Sequence, residues 1–303
     1  MKAIDLFYLA LFRLFRALVV RLAPKKRVAL AQKLATLAWY AAPSRRRVIE
    51  TNLEIAFPDR YDKSAKKRIG IASYTNFIMN LFTVMRMPFM SEKELLDSVD
   101  FENEEIIQKA IDEGLPILFI TAHYGNWELM PAAVTLRYGL GGAVVGRRLD
   151  SEAVNEELIK SRRHFGIDLI YKKGAVKGAI KALKPERYIG ILTDQSLPQK
   201  YAVPVKFFGK KAGHTPLVGM LARRKPCVVI PIRIHTRDHL RYSIRFYPPL
   251  PRIVTDDAEA DIQKMAQDQA DAVAKMIEED PALWFWPHKR WKTYDKTLYR
   301  KAP

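Results

Sequence analysis

From about residue 96 onward, short apolar runs alternate with amphipathic stretches, and this alternation limits the possible folds more than any other feature of the chain. PILFIT (116–121), GAVVG (142–146), IDLIY (167–171), YIGILTD (188–194), PVKFF (204–208), CVVIPIRI (227–234) and YSIRFY (242–247) have the length and composition of strands. Helical patterns fill 103–113, 127–138, 151–165, 174–184, 215–225 and 257–279. The alternation predicts an α/β fold, a mixed and mainly parallel sheet flanked by helices. In such sheets the chemistry gathers at the carboxyl ends of the strands.

Upstream of residue 96 the pattern is helical throughout. Segments 4–23, 27–42, 44–57 and about 63–87 are punctuated by Pro24, Pro43 and Pro58, with Ser44 expected to cap the third. No long Gly/Ser linker divides the chain. The expected organisation is a membrane-anchoring helix (1–26), a helical region packed on the catalytic domain (27–95) and an α/β domain (96–303). The first helix, IDLFYLALFRLFRALVVRLA, is interrupted by two arginines and lacks the charge-free stretch of a clear span. Lys2, Asp5, Arg13 and Arg16 fall within about 80° on a helical wheel, which suits an interfacial helix. A single span and a helix buried in protein stay open as alternatives. A cleaved signal peptide fits poorly, because charges break the apolar centre. Lys25, Lys26 and Arg27 flank the segment and place the catalytic domain on the cytoplasmic face.

The 51 Lys and Arg against 33 Asp and Glu give a formal charge of +18. That field favours anionic partners: anionic lipid, a phosphorylated substrate, an acidic protein or nucleic acid. No RNP, KH or zinc-finger pattern supports nucleic acid. The single cysteine, Cys227, lies in an apolar run and reads as a reduced core thiol. Neither a CxxC nor a His/Cys cluster suggests a metal.

The candidate chemistry lies in TAHYGNWE (121–128), at the end of the most apolar strand. His123 closes the strand, Gly125 permits a sharp turn, and Glu128 is expected in the first turn of the next helix. On one continuous helix the two side chains would diverge by about 140°. Across a strand–turn–helix junction the carboxylate can reach the imidazole, fix its tautomer and leave the other nitrogen to take a proton. The spacing alone is weak, since chance supplies about 0.65 such pairs in this composition. No GxSxG elbow is present, which favours direct transfer over a covalent acyl-enzyme.

Several segments in register resemble the late acyltransferases of lipid A biosynthesis, the lauroyl/myristoyl transferases of the H-x4-D/E acyltransferase superfamily. They are NLEIAFP (52–58), TAHYGNWE (121–128), VVGRRLD (144–150), SRRHFGIDLI (161–170), TDQS (193–196), VKFFGKKAGHTPLVGMLARR (205–224) and LWFWPHKRWK (283–292). The resemblance covers about residues 30–292. It implies a glycerolipid-acyltransferase-like α/β sandwich with an amino-terminal membrane helix, at the bacterial inner membrane. It further implies an acyl carrier protein or coenzyme A thioester as donor, no bound cofactor, and a lipid A precursor as acceptor, with His123 and Glu128 as catalytic dyad. Asn126, Arg147, Arg162, Arg163, Asp194, Gln195 and Lys210 become candidates for substrate binding. For the arginines a solvated helix face is the competing reading, and for Asp194-Gln195 a simple turn. The tail LWFWPHKRWK either docks at a membrane interface or seals the sheet. Two alternatives stand: an acyltransferase for a glycerophospholipid or other envelope lipid, and a non-enzymatic basic binding protein.

Overall fold

A computed structural model describes residues 3–300; Lys2, expected on the polar stripe of the first helix, and residues 301–303 lie outside them. Four helices come first: α1 (Ala3–Arg21), α2 (Pro24–Ala41), α3 (Pro43–Ala56) and α4 (Lys63–Arg86). The α/β part follows as α5 (Glu92–Asp97), β1 (Val99–Glu102), α6 (Glu104–Asp112), β2 (Ile117–Thr121), α7 (Leu129–Tyr138), β3 (Gly141–Gly146), α8 (Glu152–Arg163) and β4 (Ile167–Tyr171). It continues with α9 (Ala175–Ala182), β5 (Arg187–Leu192), β6 (Val203–Phe207), β7 (Lys210–His214), α10 (Leu217–Arg224), β8 (Val228–His235), β9 (Tyr242–Phe246) and α11 (Ala258–Glu279).

Seven strands form one sheet in the order β1-β9-β8-β2-β5-β3-β4. From β8 to β4 all neighbours are parallel, whereas β9 runs antiparallel to β8 and carries β1 parallel to itself. The central strand β2 is buried on both faces. Ile117 and Phe119 enter a core with α6 and α7, and Leu118 and Ile120 enter the opposite core with α9 and α10. This is the continuous apolar run expected of a strand covered on both sides. The connection after β2 leaves by α7 on one face, and that after β5 leads to α10 on the other. A crevice therefore opens between the carboxyl ends of β2 and β5, at a topological switch point.

Three sequence expectations change. The run 204–208 is not in the main sheet: β6 pairs antiparallel with β7, a strand formed by the polar KKAGH. The short edge strand β1 and helix α5 had no apolar run to announce them. Helix α3 opens at Pro43, with no side-chain cap from Ser44.

The amino-terminal helices share cores with the sheet domain. Trp39, Leu53 and Tyr74 join Phe207, Trp284, Trp286 and Trp291 in one cluster. In α1, Arg16 and the more exposed Arg13 bind Glu157 of α8 at 2.6 and 3.0 Å. Leu6, Phe7, Leu11, Leu14 and Leu18 are exposed, Leu14 by 71%. Arg16 and Leu14 are two residues apart and so point about 160° away from each other. Among the described residues no helix is long and apolar enough to cross a membrane.

Helices α2 and α4 meet where Gly70 lies under the buried Trp39 ring, and a Cβ at Gly70 would collide with that ring. Alanine normally gains about 1 kcal/mol over glycine inside a helix, but overpacking a filled core costs roughly 1–3 kcal/mol. Gly70→Ala is therefore expected to lower the unfolding free energy by about 1 kcal/mol, read as a lower urea midpoint.

Candidate active site

The segment after β2 is held from three sides. Gly125 has φ +56°, and any Cβ there would strike the carbonyl oxygen of Ile234, so glycine is required on both counts. Its carbonyl accepts from the side-chain amides of Asn76 (2.9 Å) and Asn80 (2.8 Å), and its N–H donates to Leu283 O (3.1 Å). Asn80 Oδ1 accepts from Glu128 N, and Thr83 Oγ1 accepts from Asn126 Nδ2 at 2.8 Å. Ser73 donates to Trp284 O at 2.6 Å. These four α4 residues recur at spacings of three, four and three, a buried polar stripe among the apolar residues of the helix's second half. Asn52 of α3 extends the clamp by donating to the carbonyls of Trp286 and His288, 2.8 Å each.

Strands β2 and β5 pair with Thr121 opposite Leu192, so two residues beyond each come His123 and Asp194. Asp194 Oδ1 lies 2.8 Å from His123 Nδ1; its Oδ2 accepts from His123 N (2.9 Å) and from Trp284 Nε1 (2.8 Å). Burial pushes this carboxyl up, but the His123 charge and the bonds from His123 and Trp284 outweigh it, holding the group well below the usual carboxylate range. An ionised Asp194 can only accept, so Nδ1 carries a proton and Nε2 is the ring nitrogen left to accept one. Gln195 Nε2 lies 3.1 Å from that nitrogen and donates to it. The His123 side chain keeps 18% exposure, beside Trp127 and Phe285, with Phe77 stacked on Trp127.

Glu128 occupies the position just before α7, and its carboxylate is engaged by Arg162, not by His123. Arg162 Nη2 is 3.0 Å from both oxygens and Nε 3.2 Å from one. The expected His123–Glu128 contact is thus replaced by His123–Asp194. The carboxylate at the end of the neighbouring strand reaches the imidazole, while Arg162 at the end of α8 takes up Glu128. Both members of the Glu128–Arg162 pair are about 15% exposed.

The other candidates are placed as follows. Asn126 is buried and spent on Thr83 and Leu129 N, so it positions the loop. Arg147 is 69% exposed and 3.9 Å from Asp150, and Arg163 is exposed. Lys210 pairs with Asp295 at 3.5 Å. Asp194 and Gln195, expected to bind substrate, instead touch the imidazole. Trp284 and Trp286 are fully buried, which settles the carboxyl-terminal motif as a seal on the fold. Among the described residues no group of three or more His, Cys, Asp or Glu side chains converges as a metal site.

The fold sets a His–Asp pair at its switch point, an arrangement of the kind suited to acid–base chemistry. The family model described as bacterial lipid A biosynthesis acyltransferase matches residues 3–293, and the chain belongs to that family of O-acyltransferases. It is 24% identical to the lipid A biosynthesis lauroyltransferase of Escherichia coli K12 over 263 residues, 86% of this chain and 83% of that one. It is 22% identical to the myristoyltransferase of the same organism, covering 89% and 82%. A lipid A biosynthesis acyltransferase of Haemophilus influenzae is 20% identical, covering 85% and 79%.

Two histidines near the site, His214 fully buried and His288 partly buried, set an acid limit on stability. Burial first, then the Arg290 charge, depresses His214 to about 3; burial chiefly depresses His288 to about 4. Both are neutral in the fold and take up protons near pH 6.5 when unfolded. The unfolded state then binds more protons below pH 6.5, so stability is full above that pH and falls as the medium is acidified toward 4, by up to about 1.4 kcal/mol per pH unit per histidine. His214→Gln is expected to flatten the slope of urea midpoint against pH between 6.5 and 4.5.

Proposed function

We propose that this enzyme moves a fatty acyl chain from a thioester, on acyl carrier protein or coenzyme A, to a hydroxyl of a lipid A precursor. His123 is the general base and Asp194 its orienting carboxylate. The observation that carries this reading is the 2.8 Å contact between His123 Nδ1 and Asp194, which leaves Nε2 as the only ring nitrogen able to accept a proton. The Gln195 amide now at Nε2 marks the place that the acceptor hydroxyl takes.

In the reaction, Nε2 accepts the hydroxyl proton as the oxygen attacks the thioester carbonyl. The carbonyl π pair moves onto oxygen, giving a tetrahedral oxyanion. Its collapse breaks the carbon–sulfur bond, and the imidazolium returns its proton to the departing thiolate. The imidazolium formed midway lies against an ionised Asp194, so the transient charge is stabilised without rearrangement. Arg162, fixed by Glu128 at the rim of the site, faces the anionic acceptor or the developing oxyanion. The aromatic wall of Phe77, Trp127 and Phe285 gives the acyl chain an apolar approach.

The enzyme works at a membrane surface in this reading, on the cytoplasmic face of the bacterial inner membrane. Support comes from α1, whose polar side is engaged by Glu157 while its leucine face is open. The +18 charge suits an acidic carrier protein and a phosphorylated acceptor.

The test is a purified assay crossing acyl carrier protein and coenzyme A thioesters with lipid A precursors and lysophospholipids. His123→Ala and Asp194→Asn are each expected to lower kcat by about 10²–10⁴-fold with native melting curves. Near-normal turnover by His123→Ala would reject the mechanism. Glu128→Ala and Arg162→Ala are expected to cost similar amounts singly and little more together, because each removes the same ion pair. Fully additive losses would separate their roles.

A further inference from the structure

We infer that a second site, an enclosed pocket between the α1–α2 turn and the back of the catalytic loop, binds a phosphate group with Arg27 as its main ligand. The pocket has a volume of about 210 Å³, ample for a tetrahedral four-oxygen anion and a few waters. Pro24, Arg27, Arg86, Glu94, Asn126 and His239 are among its walls.

Three features of the pocket call for an anion. The Arg27 side chain is buried, 7% exposed, yet its guanidinium makes one hydrogen bond, from Nη1 to Leu22 O at 2.6 Å. No carboxylate lies within 4 Å of it among the described residues. Burial and the neighbouring Arg86 charge lower it to about 10, so it remains a cation at neutral pH. A buried cation with no direct ion pair is costly; the Glu94 carboxylate on the pocket wall acts on Arg27 only from a distance and is paired with Arg86.

The second feature is His239, across the pocket. Its Nδ1 is buried with no partner. Burial lowers its pKa, leaving a neutral ring that can donate one hydrogen bond. The turn holding it is built around Thr236, whose Oγ1 accepts from His239 N at 2.8 Å. The third feature is the α2 amino terminus. It has no side-chain cap and no acid in its first turn, and carries Lys25, Lys26 and Arg27 there. Cations at that end oppose the helix dipole, whereas a bound anion is favoured by it.

Phosphate answers all three, since a guanidinium binds two of its oxygens in parallel and leaves the others for the imidazole and the helix end. The phosphate can be free or borne by a lipid headgroup. Pro24, on the pocket wall, lies in the exposed α1–α2 turn. At the other end are Asn126 and Leu129, which belong to the segment that carries His123.

Binding is read on the full chain by thermal melting and so stands or falls independently of the proposed acyl transfer. The probes are inorganic phosphate against chloride at equal ionic strength, and dihexanoyl phosphatidate against dihexanoylglycerol. Arg27→Gln removes the charge but keeps an amide for Leu22 O; should it lose cooperative unfolding, His239→Gly, suited to the φ of +58° there, takes its place. Wild type is expected to gain roughly 2–4 °C more than the variant at saturating probe. A gain with inorganic phosphate assigns a free-phosphate site, and one with phosphatidate alone a lipid headgroup site. Equal shifts in wild type and variant, as phosphate produces on any protein by exclusion from its surface, overturn the site, as does no shift.

Discussion

The geometry of the site turns on one carboxylate. Asp194 receives three hydrogen bonds, two from His123 and one from the Trp284 indole. One bond fixes the ring, the second fixes the backbone that carries it, and the third ties both to the carboxyl-terminal segment. An unpaired buried carboxylate would neutralise itself by protonation. Here the imidazole keeps it charged, and the charge keeps the imidazole in one tautomer. Each group is the condition for the other.

Around that pair the amino-terminal helices act as a scaffold for the loop after β2. Buried amides and hydroxyls of α4 and α3 are spent on the carbonyls and amides of residues 125–128 and 284–288. Loop backbone groups that would otherwise be orphaned in a dry interior are thereby satisfied. The two carboxylates near the imidazole are kept distinct by their partners: Asp194 by the ring and Glu128 by a guanidinium. A single acid serving both groups would leave either the tautomer or the arginine undefined.

Much of this was legible in the residues, and the parts that were not have identifiable reasons. Runs such as ILFIT and VVIPIRI declare strands because both of their faces are buried. VDFE and KKAGH do not, being short or polar, although Val99, Ala212 and His214 are buried. His123 was readable from its place after an apolar strand. Its partner was not, because Asp194 is adjacent only once β5 lies beside β2, and strand order does not show in local pattern. Glu128 attracted the assignment by its nearness in sequence, while the arginine that claims it lies 34 residues downstream. The Ser73, Asn76, Asn80, Thr83 stripe was the missed signal. Polar residues at helical spacing within an apolar helix mark a face turned toward backbone that needs partners.

The link between Trp284 and Asp194 also has a consequence in time. Residues 283–286 supply the indole donor, receive Gly125 N–H and Ser73 Oγ–H at their carbonyls, and give Phe285 N–H to His123 O. They leave the ribosome about ninety residues after Asp194, with the sheet's central strands already made. In the nascent chain the imidazole and its acid are thus both present well before the indole that ties their pair to the carboxyl-terminal segment.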